Sequence, residues 1–389
     1  MRSMISPFKS LLQRRQAARQ KPQDIYQRAQ SLLDAVDAGR VPDGHNRVTG
    51  RVTDVSYTGV STQYLVVTPW EQELTVFEQN VVVGDRCEVG DEVVVHAGQW
   101  DPADPWVLAG NDPGLAPSFR VWGYDTCWGS FAQFTKVQAH QCLPKADHLT
   151  WEEAAAPTLT GGTAYRMLFG WPPNTVKPGD VVLVWGGAGG LGSLAIQLVA
   201  NAGGRAVAVV SSPEKGEYCK GLGAVGYVDR TAFSHWGVPP AWDSPEWKTW
   251  FDGAKAFGKA IWDVLGEKTN PRIVFEHPAQ DTVPTSNFVC ERGGMIVICA
   301  GTTGYDTMID VRYLWYLQKR YQGSHLFNDE QASAFNDLVR ARTVTTTLGH
   351  TYDYGDTGRV HALMGEGKLP EGNVAVLVSA AERGLGKRA

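Results

Sequence analysis

The sequence predicts an α/β protein built on a parallel, doubly wound sheet with a smaller β-rich region, and three observations predict it. From residue 181 onward, short apolar runs bounded by turns alternate with helical segments. The runs are four to six residues long and rich in Val and Ile, as strands buried on both faces are. A glycine-rich turn joins the first run directly to a helix. In order, residues 181–185 (VVLVW) form a strand and Gly192 to Ala202 a helix. Residues 205–210 (RAVAVV) and Glu214 to Leu222 repeat the pair, and a short strand follows at Val225 to Val228. Residues 273–276 (IVFE) and 295–299 (MIVIC) are later strands. Strand–crossover–strand connections of this length give a parallel sheet. Between them lies a Trp-rich insertion, 232–265, whose plainest reading is a helical excursion packing its own indoles.

The front of the chain has a different rhythm. Residues 8–38 read as helical, and Gly39 with Pro42-Asp43-Gly44 ends them. From Val48 the apolar period becomes two, so the stretch up to Asn80 reads as three strands with tight turns. Val93 to Val95 form a further strand, and the Pro-, Gly- and Asp-rich residues 100–120 a loop. The expected organisation is a helical extension (1–46), a small β segment (47–80), a β-rich region (81–160), the doubly wound domain (161–325) and a C-terminal return (326–389).

Composition narrows the function classes. The chain has 389 residues and a net charge of −5, which gives no reason to expect a nucleic-acid partner. The six cysteines contain no C-x-x-C pair, so a disulfide framework and a Cys-rich metal site are not expected, and a reduced cytoplasmic protein is. No run of eighteen apolar residues suggests a membrane span. The basic first 21 residues lack the apolar core of a secretory signal and read as a surface helix, although their composition also suits a transit peptide.

The strongest local signal is VVLVWGGAGGLGSLAIQ. One glycine lets the chain reverse after the strand, one lets backbone N–H groups approach a pyrophosphate, and one lets the helix pack on the strand. Gly186, Gly189 and Gly192 have that spacing, and Gly190 and Leu191 between them are expected cofactor contacts too. With a strand before and a helix after, this is a Rossmann-type dinucleotide site rather than an ordinary turn. Cofactor choice is read at the end of the second strand. NAD-binding chains place Asp or Glu there; this one has Ser211 and Ser212, with Lys215 one turn later and Arg230 after the third strand. Hydroxyls and cations suit a 2′-phosphate, so NADPH is expected. Gly301, Thr302 and Thr303 follow a strand end, where such folds bind ligands. Glu276 and His277 also follow a strand end, with structural hydrogen bonding as the even alternative.

From about Val81 to the C-terminus the chain resembles the crotonyl-CoA carboxylase/reductase family of the medium-chain dehydrogenase/reductase superfamily. The resemblance is carried by VWGYDTCWGSFAQFTKVQAHQCLPK, LTWEEAAAPTLTGGTAYRML, WGGAGGLGSLAIQ, VVSSPEKGEYC, IVFEHP, CAGTTGY, RYLWYLQKR and GSHLFN. It implies a GroES-like catalytic domain beside the Rossmann domain, and zinc-independent reduction of an α,β-unsaturated acyl-CoA by NADPH, after which the enolate takes up CO2 or a proton. It further implies a homo-oligomer, dimer or tetramer. His325 matches the family's CO2-holding histidine, although by itself it reads as a core or interface residue. Tyr124 and Asp125 fall on the Phe-Glu pair that shapes the CO2 pocket, one hydroxyl longer and one methylene shorter. Thr163 lies where the nicotinamide pocket begins, and reads otherwise as a helix N-cap. Arg312, Lys319 and Arg320 are candidate contacts for CoA phosphates, or a solvated face.

The front departs from this pattern. The family's Asn-Tyr-Asn-Thr type motif has no counterpart before residue 81, so the GroES-like domain is expected to be N-terminally incomplete. Residues 22–80 resemble instead the C-terminal OB-like region of a polyamine-type ABC transporter ATPase, and the two resemblances meet near Asn80 to Val83. The G-x-x-x-x-G-K-[ST] phosphate loop of such an ATPase is absent. Carboxylation is therefore the activity most in question. The alternatives are a zinc-independent quinone or enone reductase, and a nucleotide-binding fusion with impaired catalysis.

Overall fold

The structure, a computed structural model, describes residues 51–57, 61–67, 73–79, 90–380 and 382–387. The expected helix over 8–38 lies outside these residues. The chain divides into two units, residues 1–86 with 102–111, and residues 87–101 with 112–389. In the first unit, β1 (Arg51–Tyr57), β2 (Ser61–Val67) and β3 (Glu73–Gln79) form an antiparallel meander, the three strands that the period-two pattern predicts. The register of β1 on β2 shifts between Val52 and Asp54. A single helical turn, α1 (Pro105–Leu108), falls in the stretch expected to be loop; the Asp104 carboxylate caps it by accepting from the Trp106 N–H at 2.8 Å.

The second unit begins with two short antiparallel pairs. β4 (Val93–Val95) pairs with β7 (Cys142–Pro144), and β5 (Gly98–Gln99) with β6 (Arg120–Val121). Helices α2 (Trp151–Ala155) and α3 (Thr158–Phe169) lead into the main sheet. Its strands are β8 (Val181–Trp185), β9 (Arg205–Val210), β10 (Gly226–Asp229), β11 (Ile273–Glu276), β12 (Met295–Ile298) and β13 (Arg320–Gly323). All pair in parallel, in the order β10-β9-β8-β11-β12-β13. The order reverses between β8 and β11, the switch point beside which α/β sheets bind their ligands.

Strand periodicity explains the two cores. Val182 and Val184 of β8, with Ala206 and Ala208 of β9, face one side, where Met167 and Leu168 of α3 pack with Leu194 and Leu198 of α4 (Gly190–Asn201). Val181, Leu183 and Trp185 face the other. The Trp-rich stretch covers that second side. After α5 (Pro213–Gly221) and β10, helix α6 (Pro245–Leu265) crosses the sheet with Phe257 and Ile261 buried against β8 and β9, and stops at Gly266, whose φ of +72° suits a residue without Cβ. It is thus the crossover from β10 to β11, not an excursion. Trp236 packs on Trp185 and Phe257 (ring centroids 5.5 and 5.4 Å), whereas Trp242 is 69% exposed. A doubly wound sheet needs a helix on each face, which the count of indoles does not reveal.

The remaining elements are α7 (Val283–Val289), α8 (Val311–Trp315), α9 (Asp329–Arg340), α10 (Thr357–Gly365), and the parallel pair β14 (Leu348–Asp353) and β15 (Asn373–Leu377). The buried Arg166 of α3 ties this region together: it pairs with Asp112 at 2.7 Å, donates to Gln331 at 3.1 Å and lies 4.7 Å over the Trp171 ring.

Candidate active site

A cleft of about 640 Å³ opens at the C-terminal ends of the parallel strands. Its floor is the turn from β8 to α4. Gly186 takes φ +59°, and a Cβ there would come within 2.5 Å of the His277 ring. A Cβ on Gly192 would lie 2.8 Å from Gly187 Cα and press on the Gly186 carbonyl. Gly189 is exposed, and its nearest obstacle is the Gly186 carbonyl at 3.4 Å, so its missing side chain leaves room on the cleft side. The first turn of α4 leaves the amides of residues 190–192 without carbonyl acceptors inside the helix. That combination fits a pyrophosphate.

Ser211, Lys215 and Arg230 line one end of the cleft. Neither the Lys215 ammonium nor the Arg230 guanidinium forms a salt bridge among the described residues; Asp229, the obvious partner of Arg230, accepts instead from Thr231 N (2.9 Å) and Oγ1 (2.7 Å). Two free cations and a hydroxyl beside a pyrophosphate cradle fit a third phosphate. Ser212 does not line the cleft. It caps α5, its hydroxyl accepting from the Lys215 N–H at 3.4 Å.

At the opposite rim Thr302 and Thr303 line the cleft, and their amides hold the loop after β11 by donating to His277 O (3.1 Å) and Pro278 O (2.9 Å). Gly301 is not in the lining; a Cβ there would meet the Tyr305 ring. Thr163 is turned away too. It lies inside α3, whose N-cap is Pro157, and its hydroxyl donates to Leu159 O at 2.8 Å. The residue of that helix facing the cleft is Thr160, one turn earlier. Thr160 Oγ1 donates to Asn373 Oδ1 at 3.0 Å, while Asn373 Nδ2 donates to Thr347 Oγ1 at 3.1 Å and the Gly372 N–H to Ala188 O at 2.8 Å. The segment 367–374 is therefore laid against the phosphate turn by the chain's far end, and no local pattern announces it.

Beneath the cleft, Glu276 is fully buried. Its carboxylate accepts from Thr282 Oγ1 and Ser286 Oγ, both at 2.6 Å, and Ser286 in turn accepts from Trp185 Nε1 at 2.9 Å. Burial pushes its pKa up to about 7, against the pull of the two hydroxyl donors. His277 donates from Nε2 to Trp185 O at 3.1 Å, and burial holds its pKa below the usual value.

The residues expected at the chemistry lie outside this lining. His325 is exposed and meets the edge of Phe119 at 5.9 Å. Tyr124 is 86% exposed, and Asp125 turns its carboxylate back to accept from Val121 N at 2.7 Å. The three cations expected at CoA phosphates are otherwise engaged. Arg312 pairs with Asp310 at 2.6 Å, Lys319 is buried and donates to Asn287 O, and Arg320 of β13 donates to Pro172 O at 3.0 Å.

Comparison with known proteins places the chain. Residues 190–341 match the model of a family described as zinc-binding dehydrogenase, and residues 34–108 that of a TOBE domain. A crotonyl-CoA carboxylase/reductase from Cereibacter sphaeroides is 50% identical over 306 residues, 78% of this chain and 71% of the relative. The chain belongs to the crotonyl-CoA carboxylase/reductase family. A crotonyl-CoA reductase from Streptomyces collinus is 41% identical over 77% of the chain and 65% of that relative. Among solved structures, the crotonyl-CoA carboxylase/reductase AntE in complex with NADP matches with a TM-score of 0.75 at 44% identity, over 89% of this chain and 82% of that one. The 2-octenoyl-CoA carboxylase reductase CinF, in complex with NADP and 2-octenoyl-CoA, matches with a TM-score of 0.70 at 34% identity, over 84% and 69%.

The zinc-binding description raises the question of a metal. Among the described residues, His96, His140 and Asp329 bring ligand atoms within 4.8 Å of one another. Their hydrogen bonds do not fit a metal. His96 Nδ1 accepts from the Gly98 N–H at 3.2 Å, so Nε2 carries the proton that it gives to Asp329 Oδ1 at 2.8 Å. His140 presents Nδ1 to the same oxygen at 2.9 Å and Nε2 to Gln138 Oε1 at 2.8 Å. The group is a hydrogen-bonded clasp.

Proposed function

We propose that this chain is an NADPH-dependent reductase of α,β-unsaturated acyl-CoA thioesters, with CO2 capture by the enolate as its second outcome. The observation that carries the proposal is the pairing of an open glycine cradle with a hydroxyl and two unpaired cations at the ends of β9 and β10. The family's members with NADP bound support it. Bound NADPH supplies the hydride. The chain's own contribution is to bind and to orient. Amides 190–192 take the pyrophosphate, Ser211, Lys215 and Arg230 take the 2′-phosphate, and the threonines at 160, 302 and 303 border the far end of the cleft. An enoyl thioester is already activated by its carbonyl, so hydrogen-bond donors suffice to hold the developing enolate oxygen.

We assign His325 to CO2 on family resemblance, with Tyr124 and Asp125 beside it. The 86% exposure of Tyr124 favours a second reading, in which a proton rather than CO2 quenches the enolate. Residues 22–80, which the TOBE-type match over 34–108 overlaps, we read as related to the C-terminal region of a polyamine-type transporter ATPase. We further propose a cytoplasmic homo-oligomer; among the described residues no helix is long and apolar enough to cross a membrane.

The test is NADPH oxidation on adding crotonyl-CoA, with and without labelled bicarbonate. The reductase reading expects substrate-dependent oxidation and a saturated or carboxylated acyl-CoA product. A protein that binds NADPH and turns over no enoyl-CoA refutes it, and label in the product separates carboxylation from reduction alone.

A further inference from the structure

The cleft contains an aromatic surface that the phosphate-binding residues do not account for. Trp236 lines it, on the turn that also carries Arg230. The indole is fixed on three sides. Its Nε1 donates to Arg230 O at 3.2 Å, its ring lies 4.4 Å from that of His235 at 35°, and the rings of Trp185 and Phe257 meet it edge-on at 5.5 and 5.4 Å. With the N–H committed to a backbone carbonyl, the indole brings no hydrogen-bond donor to the cleft, only carbon surface. His235 behind it is buried, both ring nitrogens lack partners, and burial pushes its pKa down to about 4, so the support is a neutral ring. A half-buried, immobilised and apolar ring beside a site for a ribose phosphate matches one kind of ligand group, a flat heteroaromatic base.

We infer that Trp236 is the stacking platform for the adenine base of the nucleotide, and that the turn from Asp229 to Trp236 reads base and 2′-phosphate as one unit. The hydrogen bond from the indole to the Arg230 carbonyl is the link, since the backbone that aims the guanidinium is the backbone that holds the ring. The inference rests on the nucleotide-binding part of the proposed function, and adds a residue to which neither the glycine turn nor the cation pattern points.

The experiment uses the full chain and adenosine 2′,5′-bisphosphate, which carries the base, the ribose and the 2′-phosphate but no nicotinamide, so enoyl-CoA turnover plays no part. Dissociation constants are measured by calorimetry for the unaltered protein, Trp236→Phe and Trp236→Leu, with circular dichroism melts to show that each is folded. Leucine keeps apolar bulk against Trp185 and Phe257 but has no π face; phenylalanine keeps the face. The expected result is a dissociation constant raised roughly ten- to hundredfold in Trp236→Leu and within a few-fold of unaltered in Trp236→Phe. Equal affinity in all three proteins overturns the inference while leaving nucleotide binding intact. Equal loss in both variants also overturns it, because the indole then serves the packing of the turn. No binding to the unaltered protein defeats the nucleotide reading and this inference together.

Discussion

Two alanine substitutions in the phosphate turn separate the fold's use of glycine from the cofactor's. Gly189 sits at φ −77° and ψ 172°, backbone that any residue adopts, and a Cβ there meets nothing closer than the Gly186 carbonyl at 3.4 Å. Replacing it by alanine forfeits the modest N-cap preference for glycine, about 0.5–1 kcal/mol. It recovers about 0.4–1 kcal/mol by restricting the unfolded chain. The two nearly cancel, so Gly189→Ala melts close to the unaltered protein. The new methyl, however, stands on the cleft side, where the proposed pyrophosphate would approach amides 190–192. Losing one charge-assisted hydrogen bond costs about 1.5–3 kcal/mol, so the NADPH dissociation constant rises roughly ten- to hundredfold. Gly192→Ala reverses the balance. Its Cβ would lie 2.8 Å from Gly187 Cα, backbone that cannot step aside as a side chain can. Overpacking of this kind costs about 1–3 kcal/mol, and α4 leaves the turn, so melting temperature and affinity fall together. Fluorescence titration with NADPH and a thermal melt on each variant are sufficient. If Gly189→Ala binds NADPH as tightly as the unaltered chain, the pyrophosphate does not lie on this turn, and the reasoning from the open Cβ position is refuted.

Two further experiments probe one end of the cleft and the carboxylate beneath it. Lys215→Ala with Arg230→Ala removes both unpaired cations, so NADPH should weaken by at least tenfold while NADH changes little; parallel loss of the two cofactors, measured by titration, would remove the 2′-phosphate from this position. Glu276→Gln tests the buried carboxylate through pH. Its folded pKa, raised to about 7, lies above the ordinary glutamate value. Its contribution to stability is therefore full at pH values below the ordinary glutamate value and is lost as pH rises through 7. The melting temperature of the unaltered protein should fall, relative to the glutamine variant, between about pH 4.5 and 7; parallel melting curves across that range would show that Glu276 does not titrate there.

The parts legible in the sequence are those in which one short segment does one job. Strand β8, the turn and α4 are consecutive, so the spacing of Gly186, Gly189 and Gly192 places them on one turn, where a Cβ would be crowded at Gly186 and Gly192 and unobstructed within 3.4 Å at Gly189. Lys215 and Arg230 are legible for a related reason: each follows a strand end of known rank in the sheet. Thr163 shows the limit. The motif GGTAYR lies on the helix that borders the cleft, but a helix shows only one face to it, and a one-turn difference decides whether Thr160 or Thr163 points there. Asn373 shows a deeper limit. It touches Thr160 and Thr347 and abuts Gly190, and no pattern within a window of residues encodes a contact made across 213 positions of chain.

The two halves of the proposed site consequently differ in what they require. The cleft is floored by the switch point of a parallel sheet whose strand β8 is buried on both faces, and the residues proposed to hold phosphate and base follow the ends of adjacent strands. A misplaced helix would disturb the core before it disturbed the ligand, so the geometry is held by the same burial that folds the domain. The residues assigned to CO2 have no comparable support. Tyr124 and Asp125 follow a two-residue strand, His325 is exposed, and their contacts are an aromatic edge at 5.9 Å and a local turn bond. Electrostatic stabilisation of an enolate and retention of CO2 both depend on excluding water and fixing donors in advance. Hydride transfer needs the cleft and a bound acyl-CoA; capture of CO2 needs, in addition, a shell around His325 that residues 119–125 do not by themselves close. On this reasoning reduction is the more robust activity, and the fraction of turnovers that end in carboxylation reports how far that shell is completed.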